Sequence, residues 1–140
     1  TRMHQAAMFV VYESPVQLFS GNPSQGLMEP EFMELISSIP TVWDETVIPD
    51  AKVGEYIVTA RKKGEKWFVG GMTNWNDRDV HIDLSFLDDR AYNATIAIDG
   101  INADRHASDY MIREENVSHR SILDLHMAKG GGFVLVFTPK

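Results

Sequence analysis

The sequence predicts a mainly β chain: an antiparallel β-sandwich of about seven short strands, preceded by a helix-strand-helix segment. Two observations carry this. From residue 55 onward apolar side chains recur with a period of two, in runs separated by turn residues. Before residue 40 they recur at helical spacing instead. The chain has 140 residues, 44% of them apolar, which makes one domain the default and intrinsic disorder untenable.

Met3, Ala6, Ala7, Val10 and Val11 define a first helix, with Met8, Phe9 and Tyr12 adding apolar character on its other faces. Ser14-Pro15 ends it, because the residue before Pro is pushed out of helical geometry. Val16-Gln17-Leu18-Phe19 is expected as a buried strand, and Gly21-Asn22-Pro23-Ser24 as a turn. A second helix starts near Pro30, places Phe32, Leu35, Ile36 and Ile39 on one face, and stops at Pro40.

Residues 41–54 read as a junction. Trp43 within it is expected to bury area between the two halves. Residues 55–140 follow as the sandwich. Glu55–Arg61 and Lys66–Thr73 flank a Gly-containing turn, a hairpin signal. Val80, Ile82, Leu84 and Phe86 alternate with Asp79, His81, Asp83 and Ser85, which predicts a strand with one wet face. Tyr92, Ala94, Ile96 and Ile98 repeat the pattern. Strands are also expected at 109–115, at 121–127 and from Phe133 to Phe137.

The net charge of −7 argues against a nucleic-acid partner, which needs a basic face. The charge is uneven: residues 1–54 hold seven acidic and two basic side chains. No apolar run is long enough for a membrane-spanning helix, so no membrane partner is expected. Cysteine is absent, which removes disulfides and thiol chemistry. Thr1-Arg2-Met3 has no leader pattern and reads as an internal start.

No catalytic apparatus emerges. The five histidines show no helical metal spacing and no HExxH. Asp99-Gly100-Ile101-Asn102-Ala103-Asp104 has its Gly in the wrong place for a calcium loop and reads as a turn. Asp44 and Glu45 are adjacent in an extended segment and point to opposite faces, so they cannot flank one glycosidic bond. Catalytic and metal-binding residues are therefore expected to be none. Trp75, in the polar loop Asn74-Trp75-Asn76-Asp77, is the one candidate sugar platform.

Several segments, taken in order, resemble glycoside hydrolase family 97. Tyr12-Glu13-Ser14-Pro15-Val16-Gln17-Leu18 is similar to its YESPLQ segment, and Val42-Trp43-Asp44-Glu45-Thr46 to its W-D-E-T junction. Gly54-Glu55-Tyr56 and Trp67-Phe68-Val69-Gly70-Gly71-Met72-Thr73 resemble two of its strands. Asp99-Gly100-Ile101-Asn102-Ala103 with Asp109-Tyr110, and the closing Gly130-Gly131-Gly132-Phe133, complete the series.

The resemblance implies an α-glucosidase or α-galactosidase parent of the bacterial periplasm, whose (β/α)8 barrel precedes a C-terminal β-sandwich. Residues 1–40 would be the end of that barrel. The family's catalytic carboxylates and calcium-binding glutamates lie upstream and map onto no residue here, so this chain alone is expected to be inactive and without a cofactor, with calcium belonging to the parent. The end of the last barrel strand makes Asn22 a candidate sugar contact, although the family's Asp-Ser-Pro is here Gly21-Asn22-Pro23. The implied function is a non-catalytic module supporting the barrel, with a carbohydrate-binding module as the alternative. Expected partners are the rest of the parent chain, an oligosaccharide, and a second copy in a homodimer. Self-association is expected through Val10, Val11, Leu18, Phe32, Leu35 and Ile36, an apolar set that monomers seldom expose.

Overall fold

The alternating residues form an antiparallel β domain of eight strands, seen in a computed structural model that describes residues 1–140. Helices α1 (Arg2–Val11), α2 (Pro23–Leu27) and α3 (Pro30–Ser38) come first. The strands are β1 (Glu45–Lys52), β2 (Tyr56–Lys63), β3 (Lys66–Thr73), β4 (Arg78–Asp83), β5 (Tyr92–Asp99), β6 (Tyr110–Val117), β7 (Ile122–Met127) and β8 (Gly132–Pro139). Six of them form one sheet in the order β1-β2-β3-β8-β5-β6, and β4 pairs with β7 as a separate ribbon.

The eighth strand is β1, inside the segment expected as a junction. Pro49 and a register shift between Val47 and Asp50 break its alternation. Both are features of an edge strand, where a missing N–H and a bulge are tolerated. The sheet therefore begins at Glu45 rather than Glu55.

The six-stranded sheet is a middle layer with two cores. One face packs on the β4–β7 ribbon around Val58, Trp67, Ile82, Leu84, Ile96, Leu125, Phe133 and Leu135. The other packs on α1 and α3 around Met3, Ala7, Val10, Phe32, Leu35, Phe68, Ala97, Val134 and Val136. This is why β3 and β8 are buried along nearly their whole length. It also corrects the expected association face: Val10, Phe32, Leu35 and Ile36 are already covered within the chain. The helices find their apolar partner in their own sheet.

Two adjacent glycines set the spacing of these layers. A Cβ on Gly70 would lie 2.9 Å from the Ala7 carbonyl oxygen, so α1 sits directly on the strand. A Cβ on Gly71 would occupy the space filled by the Phe133 ring on the opposite face. Helix and core ring thus both rest on β3 because no side chain stands there.

Residues 16–19 are not a strand. They run without regular structure, and Val16, Leu18 and Phe19 are exposed. No neighbouring strand lies beside them to pair with their backbone, so alternation alone cannot make them a sheet element.

Candidate functional site

Helix α1 is held at both ends by side-chain hydrogen bonds. Thr1 Oγ1 accepts from the His4 amide at 3.1 Å, capping the N-terminus. At the other end Gln17 Nε2 donates to the Phe9 carbonyl at 2.6 Å, and Arg61 Nη2 donates to the Val11 carbonyl at 3.1 Å. These bonds satisfy carbonyls that a helix leaves without partners, and a cation there also meets the negative end of the helix dipole. Arg61 is only 5% exposed, and its guanidinium lies over the Trp43 ring, 5.8 Å from the centroid. Trp43 in turn meets Phe68 edge-on, so it packs between sheet and helical segment as expected.

A second tie joins α3. Glu29 accepts from Arg2 at 2.8 Å and from the Tyr110 hydroxyl at 2.7 Å. The Arg2 hydrogen bond, then that of Tyr110, holds the Glu29 carboxyl below its ordinary range. Burial, reinforced by Glu29, pushes the Tyr110 phenol up, so it remains a donor at neutral pH. The Arg2 guanidinium lies 5.2 Å from the ring centroids of both Phe32 and Tyr110.

Between α1, the 14–22 segment and α2–α3 lies an open groove of about 680 Å³. Met8, Phe9, Tyr12, Val16, Leu18, Phe19 and Met33 give it an apolar lining. Leu18 is 86% exposed. Asn22 stands at its rim, with its side-chain oxygen accepting from the Ser24 amide at 3.0 Å to cap α2.

Trp75 is elsewhere, in the loop between β3 and β4, and is 86% exposed. Asn74 fixes that loop: its Nδ2 donates to the Gly54 carbonyl at 3.0 Å and its Oδ1 accepts from the Asn76 amide at 3.0 Å. The indole packs over Gly130. Asn22 and Trp75 therefore belong to different surfaces.

The remaining carboxylates have structural partners. Asp44 accepts from Lys63 at 3.0 Å and from the Gly64 amide at 2.8 Å, closing the β2–β3 hairpin. Buried Asp99 accepts through Oδ2 from the amides of Ala128 and Gly132, at 3.1 and 2.9 Å. On the solvent face of the ribbon His81 pairs with Asp124 and His126 with Asp79. No three His, Asp or Glu side chains converge as a metal site requires. Calcium, implied for the parent, has no donor set here. The residues missed from sequence are Gln17, Glu29, Arg61 and Asp99. Gln17 and Asp99 stand in the family-like segments, which was the available signal.

A family model described as "Glycosyl-hydrolase 97 C-terminal, oligomerisation" matches residues 42–138. The chain belongs to that family.

This family 97 domain is 48% identical, over 96% of its length, to a retaining alpha-galactosidase of Bacteroides thetaiotaomicron. It spans 20% of that protein. A family 97 glycoside hydrolase of Pseudoalteromonas sp. strain K8, solved with acarbose, superposes with a TM-score of 0.96 at 32% identity. That match covers all of this chain and 23% of the other. A beta-arabinopyranosidase shares the fold, with a TM-score of 0.79 over 97% of this chain and 21% of its own, at 23% identity. The domain thus spans about one fifth of the lengths of its relatives.

Proposed function

We propose that this domain is the non-catalytic C-terminal module of a larger family 97 glycosidase, seating the rest of the parent chain in its helical groove and mediating contact between subunits. The groove carries the reading. It is apolar, open and continuous with α1 and α3, whose inner faces are already used by the sheet. An exposed apolar surface of this kind is normally covered in a folded assembly. On this reading residues 1–40 are the last elements of the parent's barrel, and Asn22 at the rim is its proposed sugar contact, supported by its position beside the groove.

The parent's reaction is proposed as hydrolysis of α-galactosides with retention, supported by the relative at 48% identity. The periplasm is its proposed compartment, and calcium its proposed cofactor, both on the family resemblance alone. A second reading, oligosaccharide binding at Trp75, is supported by the exposure of that ring.

The test compares the parent enzyme with a version carrying Leu18→Asp and Phe19→Asp. Loss of thermal stability and activity together, with the isolated 140-residue chain inactive on nitrophenyl α-galactoside, is the expected result. An unaltered parent, or turnover by the isolated chain, overturns the reading.

A further inference from the structure

The two ends of the sandwich differ in kind. The antiparallel order places the β1–β2, β3–β4, β5–β6 and β7–β8 loops at one end and the β2–β3, β4–β5 and β6–β7 loops at the other. The second end is closed by ion pairs: Lys63 with Asp44, and Arg90 with Glu65 and Asp88. The first end has ion pairs of its own, Glu55 with Lys52 and Arg78, but its loop tips also carry Val53, Trp75 and Ile101, three of the most exposed large apolar side chains in the chain.

Those loops form one braced surface. Asn74 bonds to the β1–β2 turn through Gly54 and Glu55, and accepts from the Gly130 amide at 2.7 Å. The Lys129 amide reaches Asp104 in the β5–β6 loop. Trp75 lies over Gly130, in the middle of this set. A rigid support lowers the entropy lost when such side chains are buried by a partner.

We propose that this loop end is the face through which two copies of the domain associate, with Trp75 at its centre. The inference rests on the subunit-contact role proposed above and assigns it a surface. The two-copy occupant follows from two observations. The family description names oligomerisation. The loop end also carries exposed charges of both signs outside any ion pair, Asp77 and Asp104 against Arg105 and Lys129. A two-fold contact brings a surface against itself, so charges of one sign would repel their copies whereas these mixed signs let the acids of one copy meet the bases of the other. An exposed Trp is among the residue types that dominate the binding energy of such interfaces.

Sedimentation equilibrium of the 140-residue chain tests this, with Val53→Asp, Trp75→Ser, Ile101→Asp and the groove variant Leu18→Asp. The expected result is a reversible dimer whose dissociation constant rises at least about tenfold in each loop-end variant. Leu18→Asp leaves it unchanged, and circular dichroism shows all four folded. A dimer that survives the loop-end changes but breaks on Leu18→Asp overturns the placement while keeping the association role. A monomer at every concentration overturns both. Melibiose quenching of the wild-type fluorescence, absent in Trp75→Ser, in a monomeric chain assigns the loop end to sugar and likewise overturns the proposal.

Discussion

Arg61, on β2 of the sandwich, donates from Nη2 to the carbonyl oxygen of Val11, in the last turn of α1, at 3.1 Å. The bond crosses the boundary between the helical segment and the sheet. It satisfies a carbonyl in the last turn of the helix, places a cation at its negative pole and leaves the guanidinium over the Trp43 ring. The two parts that differ most in sequence character are thereby fastened into one unit.

Arg61→Ala removes the donor and leaves the Val11 carbonyl short of a partner in a half-buried site. The expected loss is about 1–3 kcal/mol of unfolding free energy. Urea titration measures it. Arg61→Lys keeps the charge without the planar fork and should fall between the two.

Gly70→Ala pushes a methyl against the Ala7 carbonyl and the Val10 side chain. Helix α1 must shift from β3, at an expected cost of about 1–3 kcal/mol. Thermal unfolding followed by circular dichroism shows this as a lower Tm. An unchanged Tm would mean that α1 is not seated on the strand.

Asp99→Ala strips the acceptor from two buried amides, those of Ala128 and Gly132. Each unpaired buried donor costs about 1–3 kcal/mol. Hydrogen exchange should speed up at both amides and through the β7–β8 turn, with the helices much less affected.

Which features were legible depends on where the physics is local. β4 and β7 were visible because each presents one wet and one dry face, as in Ile82 and Leu84 against His81 and Asp83. β1 was hidden by Pro49, whose place on a bulged edge is known only once the sheet order is known. The helices' inner faces were legible, but not the surface that receives them. β3 and β8 are apolar on both faces, and a continuous apolar run does not say what lies on either side. Arg61 was invisible for a related reason: burial of a charge is decided by a partner fifty positions away in sequence. Residues 16–19 misled because strand-like composition carries no information about the absence of a neighbour.

The ribbon makes a pH-dependent pair. Asp124, by its hydrogen bond and then its charge, raises the His81 pKa above the ordinary histidine value, and Asp79 adds to it. A raised folded pKa contributes stability that is fully present below the unfolded value and lost as pH rises through the folded one. NMR titration should find His81 still protonated somewhat above the ordinary midpoint, and Asp124→Asn should return it toward that value. Both groups are exposed, so the effect on global stability is small.

Glu29 titrates in the opposite sense. Its lowered pKa, caused first by Arg2 and then by Tyr110, contributes stability above the ordinary carboxylate value. That contribution disappears as pH falls through the lowered folded pKa. Acidification should therefore loosen α3 before the sandwich, seen as early exchange at the amides of Leu35 and Ile36. Glu29→Gln should abolish the pH dependence of that step.

The most direct measurement is isothermal titration calorimetry of the purified 140-residue chain with melibiose, recorded long enough to register turnover. The account predicts neither a binding isotherm nor a sustained heat of hydrolysis, because the proposed function assigns no sugar chemistry to these 140 residues alone. Sustained heat release, surviving further purification of the chain, would contradict it.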